Sequence, residues 1–285
     1  MPESRNQLPY FDHILDLISR EPDSDTITAF GTRHVHWGYF ADPGSADGSV
    51  AGFQAAAEAL TRRLCDAVPV KDGQAVLDAG CGFGGTVASL NERFSGMALT
   101  GLNIDGRQIR RARELVPGRD GNRIGFVTAD ATTLPFADSS LDVVLAVECI
   151  FHFPSRRRFF REARRVLKPG GRLGLSDFVP IAVALPAILA GLPVLGFSEG
   201  ARFFGSHNRL TCTLAGYRRL ARTVGMRLVH DEDITANTLP TYPVVARLMR
   251  QQSQHGAARV VSLMGLVGRT RLLRYRILAF ESVAS

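Results

Sequence analysis

Four glycines, Gly80, Gly82, Gly84 and Gly85, fall within six positions directly after the apolar run that ends in Asp78 and Ala79. Glycines this close behind a strand let a backbone approach a bound nucleotide. Gly80, Gly82 and Gly85 satisfy G-x-G-x-x-G, which admits a dinucleotide. That fingerprint also asks for a carboxylate at the end of the next strand, and the position is Asn103. The phosphate-cradling alternative fails, because no Gly-Lys-Ser/Thr follows the glycines. Further along, "AVECIFHFPS" places His152 just past another apolar run, and "LSDF" places Asp177 past the next. Histidine is the side chain best suited to take a proton from an alcohol or phenol near neutral pH.

These residues need a scaffold that brings them together. The chain opens with helical material to about Glu21, then a Gly-, Pro- and Asp-rich loop, then an amphipathic helix over Val50–Val68 with Phe53, Ala56, Ala57 and Leu60 on one face. From there strands and helices alternate: "AVLDAG", "ALTGLNI", "IGFVTAD", "LDVVLAVE" and "GRLGLSDF" read as strands, with helices over 86–93, 107–115 and 156–167. Short apolar strands joined by helices imply a parallel sheet covered on both faces. The expected fold is therefore α/β, a Rossmann-like doubly wound sheet. Two later strands, "MRLVHDEDIT" and "LLRYRILAFES", bring it to seven, after a helix in "TLAGYRRLARTVG". Tyr242 and the arginine-rich stretch around it receive no assignment. In such sheets ligands bind at the carboxyl ends of the strands. Those ends read Asp78–Gly85, Asn103–Asp105, Asp130 and Ala131, Glu148–Phe153, and Asp177 with Phe178.

Taken in order, "VLDAGCGFGG", "TGLNIDGRQI", "TADATTLPFADSSLDVV" and "RVLKPGGRL" resemble the class I S-adenosylmethionine-dependent methyltransferases over roughly residues 75–177. Within that family the chain is similar to the small-molecule branch that acts on tocopherol-like, sterol-like and natural-product acceptors. That branch often carries a His-x-Gly-Tyr segment, matched by "HWGYF", His36 to Phe40. The resemblance implies S-adenosylmethionine as cofactor. Asp78 would favour its positive end, and Gly80 and Gly82 would admit it. Asn103, Ile104 and Gln108 would meet the ribose side, Asp130 and Ala131 the adenine, and Tyr39 and Glu148 would line the pocket. Asn103 departs from the acid usual at its position, although an amide can donate to and accept from a diol. The resemblance also places His152 and Asp177 at the acceptor, where a His152–Asp177 pair could hold one tautomer and raise the basicity of the imidazole. Trp37, in the same lid as Tyr39, and Phe151 with Phe203 and Phe204 would contact the substrate.

The segment Val179–Phe197 is uncharged but carries three prolines and two glycines, and it directly follows a core strand. It reads as an apolar acceptor cap, inserted at about 179–210, and not as a membrane span. The expected organisation is an N-terminal helix and lid over 1–50 and a methyltransferase domain over 51–285. An apolar, aromatic cap suits a lipophilic small molecule such as a prenyl, polyketide, quinone-like or sterol-like compound. The net charge of +7 raises nucleic acid as a partner. Nearly all of the positive charge is arginine, however, no basic run is interleaved with aromatics, and no Pro-Pro element is present. No nucleic-acid partner is expected. His34 and His36 stand two apart without an acidic or cysteine neighbour in sequence, and the four cysteines form no CxxC, so no metal is expected. The mixed, charged start and isolated cysteines point to a cytoplasmic protein. A non-methylating cyclase of the same fold, a dehydrogenase and a nucleic-acid methyltransferase are the alternatives; His152 favours oxygen as the acceptor atom, and carbon and nitrogen stay open.

Overall fold

The computed structural model describes residues 8–119, 121–187, 189–190, 202–204 and 210–283. Seven strands form one sheet: β1 (Ala75–Ala79), β2 (Ala98–Asn103), β3 (Arg123–Thr128), β4 (Leu141–Val147), β5 (Leu167–Pro180), β6 (Met226–Asp233) and β7 (Leu273–Ser282). Their order is β3-β2-β1-β4-β5-β7-β6. The first five run parallel, and β7 inserts antiparallel between β5 and β6. The reversal of β7 was not legible in the spacing of the apolar runs. The order of winding reverses between β1 and β4, which leaves a crevice beyond their carboxyl ends.

Helices cover both faces, as strands apolar on both sides require. On one face Val76, Leu99, Val143, Leu145 and Ile277 pack with Leu60 and Leu64 of α3 (Val50–Ala67), Val87 and Leu90 of α4 (Gly85–Arg93), and Ile109 of α5 (Gly106–Leu115). On the other face Leu77, Leu102, Val144, Leu175 and Phe280 pack with Phe159 and Phe160 of α6 (Arg156–Val166) and Tyr217 of α7 (Leu214–Thr223). Alternate residues of each strand thus feed opposite cores. Side-chain caps start several of these helices: Ser49 on the N–H of Gly52, Asp105 on that of Arg107, Ser155 on that of Arg158, and Thr213 on that of Gly216.

A third core joins α1 (Pro9–Arg20) and α2 (Asp25–Phe30) to two helices the sequence left unassigned, α8 (Thr241–Gln251) and α9 (His255–Arg269). Phe11, Ile14 and Leu17 of α1 lie in it with Tyr242, Val245 and Leu248 of α8. The N-terminal segment therefore shares its core with the C-terminal helices. Of the expected cap, β5 takes in Val179 and Pro180, Ala182–Ala184 forms a 3-10 turn, and Phe203 and Phe204 pack on α1. Most of the rest, 191–201 and 205–209, lies outside the described residues. No described helix is long and apolar enough to cross a membrane.

Candidate functional site

A cavity opens at the crevice beyond β1 and β4, and the glycine loop forms its floor. The loop can do so because Gly80, Gly82 and Gly84 adopt φ values of +87°, +54° and +83°, which other residues rarely take. At Gly80 a Cβ would also lie 2.7 Å from Cys149 Sγ, whereas at Gly82 nothing stands nearer than 4.0 Å. Gly82 therefore faces open space, and the chain there leaves room for a ligand.

Asp78, at the end of β1, is 2% exposed and lines the cavity. Both of its carboxylate oxygens are buried with no partner at hydrogen-bond geometry among the described residues, and the nearby hydroxyl of Thr86 only partly offsets that burial. Burial pushes its pKa up to about 7. An unpartnered buried carboxylate is costly, and a ligand's cation offsets that cost. Asp78 thus fits the ammonium-bearing end of S-adenosylmethionine.

Along the next strand ends, Asn103 Nδ2 donates to Gln108 Oε1 at 2.9 Å, and Asn103 Oδ1 accepts the backbone N–H of Asp105 at 3.1 Å. Asn103 and Gln108 are therefore already tied together where the wall meets the cavity. Ile104, 44% exposed, lies at the rim, and Ala131 lines the wall. Asp130 accepts from the backbone N–H and hydroxyl of Thr132 through Oδ1 and also lines the wall.

The opposite wall carries Glu148 and His152. Glu148 sits at φ +48°, accepts the backbone N–H of Trp37 at 3.0 Å, and accepts the hydroxyl of Tyr275. Burial pushes its carboxyl up to about 8. His152 Nε2 lies 3.4 Å from the hydroxyl of Tyr10, and its Nδ1 is buried with no partner among the described residues. Burial and the nearby Arg156 push the imidazole down to about 3, so the ring is neutral across the physiological range.

Several of the expected residues lie away from the cavity wall. Asp177 does not pair with His152. It is fully buried, accepts from Arg156 Nη2 at 3.0 Å and from the hydroxyl of Tyr217, and does not line the cavity. Strand alternation explains this, because Tyr217 and its helix occupy the face of the sheet away from the glycine loop. Tyr39 also misses the cavity: its backbone N–H donates to Ala56 O, and its ring lies under Arg63. Trp37 packs edge-on against Phe178 and Tyr242, and Phe151 against Phe178, so both serve the core and not the cavity wall. Phe203 packs on His13 and Phe204 on Tyr10, one layer behind the wall.

Sequence reading missed Tyr10 and Phe11 of α1, which cap the cavity, together with His34 and Val35. The alternation of apolar residues in "YFDHILDLI" marks α1 as amphipathic, but nothing local says where its face docks. An ion pair from Asp12 to Arg107, 2.6 Å, ties α1 to α5 beside the cavity.

Comparison with known proteins agrees with this architecture. Residues 77–175 match the family model described as a methyltransferase domain. The chain is 33% identical to "Methyltransferase GfsG" of Streptomyces halstedii over 78% of its own length and 76% of that protein's. It is 34% identical to the 27-O-demethylrifamycin SV methyltransferase of Amycolatopsis mediterranei, over 81% and 82% of the two chains. Among solved structures it superposes on the [4+2]-cyclase SpnF with a TM-score of 0.75 at 22% identity, covering 99% of this chain and 98% of that one. It superposes on the geranyl diphosphate C-methyltransferase of Streptomyces coelicolor, solved with S-adenosyl-L-homocysteine, with a TM-score of 0.69 at 21% identity, covering 98% and 100%. At these identities the structural likenesses establish the fold.

Proposed function

The chain belongs to the S-adenosylmethionine-dependent methyltransferases, and from that premise we propose that it methylates an oxygen of a lipophilic small molecule of specialised metabolism. The observation that carries this reading is the pairing of two walls across one cavity: an unpartnered, buried Asp78 on one side and an uncharged His152 beneath Tyr10 on the other. Oxygen is favoured because one relative is named for an O-demethylated substrate and because an imidazole, not a carboxylate cluster, faces the acceptor side.

S-adenosylmethionine supplies an activated methyl group whose departure needs no acid. What this chain must contribute is alignment and exclusion of water. Asp78 would hold the cationic end, and the left-handed glycines would let the backbone come against it. Asn103, Gln108 and Ile104 would meet the cofactor's ribose side, and Asp130 with Ala131 its adenine. Tyr10, Phe11 and Phe153 close the cavity over an apolar acceptor. His152 orients the acceptor hydroxyl and takes its proton as the new bond forms. A weakly basic ring is sufficient there, because the oxygen's proton becomes strongly acidic once the methyl arrives. Phe203 and Phe204, behind Tyr10, back the acceptor end.

The test is to incubate the protein with methyl-labelled S-adenosylmethionine and an organic extract of a producing culture. Label in a hydrophobic methyl ether supports the reading. Label in RNA or protein contradicts it, and so does a product isomeric with its precursor and free of label, the outcome a cyclase gives.

A further inference from the structure

Two buried histidines on the cavity wall have no part in methyl transfer. His34 and His36 both line the cavity. Each has one nitrogen fixed by a partner that only accepts. His34 Nε2 lies 2.8 Å from Glu58 Oε2. Burial opposes the charge of Glu58, but hydrogen bonds from His34, Ser89 and Arg62, with the charge of Arg33, hold it well below the usual carboxylate range. His34 Nε2 therefore carries a hydrogen. His36 Nδ1 lies 2.8 Å from the carbonyl oxygen of Trp37, so it carries one too. The remaining nitrogens, His34 Nδ1 and His36 Nε2, face each other at 3.1 Å. In two neutral rings both present lone pairs. The hydroxyl of Thr61, 3.1 Å from His36 Nε2, can donate to that atom but leaves His34 Nδ1 opposed. One further proton converts the opposition into an N–H···N hydrogen bond.

The charges around the cavity suggest what brings that proton. The ionisable groups of the wall include four carboxyls, Asp78, Asp105, Asp130 and Glu148, yet the amino-acid end of S-adenosylmethionine carries a carboxylate as well as an ammonium. Arg33 is the one arginine or lysine on the described wall. Its guanidinium is spent on Glu92, at 2.7 and 2.8 Å, and on Glu58, at 3.0 Å. The groups facing the histidine pair are Arg33 in the same loop, Glu58, Thr61 and Arg62 of α3, and Ser89 and Glu92 of α4. Burial lowers the pKa of both rings, that of His36 to about 3, so the pair has no permanent charge before an anion arrives.

We propose that His34 and His36 form the positive subsite facing the carboxylate of the cofactor, and that they take up one shared proton when it binds. The proton comes from solvent, bonds to His36 Nε2 and is donated to His34 Nδ1. No covalent bond forms or breaks otherwise. Asp78 then balances the ammonium and the protonated pair balances the carboxylate. The inference rests on the cofactor assignment and is independent of the acceptor.

The test is calorimetric titration with S-adenosylhomocysteine in buffers of different ionisation heat, from about pH 6 to about pH 8.5. In the wild type, binding takes up close to one proton more than in His36→Gln, and affinity falls about tenfold per pH unit relative to that variant. The glutamine amide can donate to His34 Nδ1 without added charge, and proton exchange at Asp78 and Glu148 cancels in the comparison. 5′-Methylthioadenosine, which has no carboxylate, shows no such difference. Equal proton uptake by wild type and His36→Gln overturns the inference, as does equal uptake with 5′-methylthioadenosine. Should His36→Gln fail to fold, nitrogen NMR of the wild-type histidines decides: His36 Nε2 changes from a lone-pair nitrogen to a protonated one on binding, and no change overturns the proposal. Failure of S-adenosylhomocysteine to bind at any pH overturns the cofactor assignment itself, whereas binding without proton uptake overturns only this step.

Discussion

On the glycine side of the cavity, the lining groups of the sheet come from strand ends and the turns directly after them: Asp78 and Gly80 at the end of β1, Asn103 and Ile104 at that of β2, Asp130 and Ala131 just after β3. On the His152 side the wall is assembled from distant parts of the chain. Tyr10 reaches across 142 positions to His152, and Tyr275 across 127 to Glu148. The two sides also differ in how their charges are left. Asp78 is buried and unpartnered, ready for a ligand's cation, while Asp177 is buried and fully partnered by Arg156 and Tyr217. Two aspartates at equivalent strand ends thus have different work: one faces the cavity and the other locks β5 to α6 and α7.

This contrast can be broken first at Asp177. Asp177→Asn leaves Arg156 buried without its counter-charge, so unfolding free energy should fall by about 3 to 5 kcal/mol in a urea titration. Affinity for S-adenosylhomocysteine should stay unchanged in the folded variant. A stable variant with weakened cofactor binding would place Asp177 in the cavity after all.

A second test compares two glycines of one loop. Gly80→Ala puts a methyl group against Cys149 Sγ at left-handed φ and should cost about 2 to 4 kcal/mol of stability. Gly82→Ala, with open space before it, should cost only about 1 to 2 kcal/mol. It should weaken cofactor binding more than its stability loss suggests. Equal stability losses would mean that the Cys149 contact relaxes away.

On the other wall, Glu148 titrates near 8 in the folded protein against an ordinary 4.5. The folded state holds that proton more tightly, so stability is fullest below pH 4.5 and is lost as pH rises towards 8, by up to about 1.4 kcal/mol per pH unit. The lowered pKa of His152 acts in the opposite sense, with stability lost as pH falls from 6.5 towards 3. Glu148→Gln should therefore flatten the decline between pH 6.5 and 8 in urea midpoints and leave the acid limb in place. An unaltered slope above pH 6.5 would rule out Glu148 as its source. Smallest is Tyr10→Phe, which removes one hydrogen bond to His152 worth about 1 kcal/mol, roughly fivefold in turnover, with cofactor affinity unaffected. Unchanged turnover would reduce α1 to a passive cover.

The same contrast decides what the sequence could reveal. The strands through β5, their carboxyl ends, and the positions of Asp78, Gly80, Gly82, Asn103, Asp130, Glu148 and His152 on the cavity wall were legible because each lies within a few residues of the strand that aims it. Tyr39 and Trp37 were placed by motif, but the Tyr39 ring lies under Arg63 and the Trp37 ring packs on Phe178 and Tyr242. Asp177 was misread because strand alternation fixes the face a side chain takes, and its partner Tyr217 lies 40 positions away. Glu58, which turns His34 and His36 into a network, comes from α3 and is equally invisible to local spacing. Tyr242 finds its place only once α8 packs on α1.

The central claim is that an unpartnered Asp78 makes this a site for a cationic nucleoside. Titrating S-adenosylhomocysteine and 5′-methylthioadenosine into wild type and Asp78→Asn tests it directly, since only the first ligand carries an ammonium. Asp78→Asn should lose about tenfold to a hundredfold in affinity for S-adenosylhomocysteine and almost none for 5′-methylthioadenosine. The ligand-free variant should be more stable than wild type, because a buried unpaired charge is gone. Equal losses for both ligands, or none for either, would contradict the account.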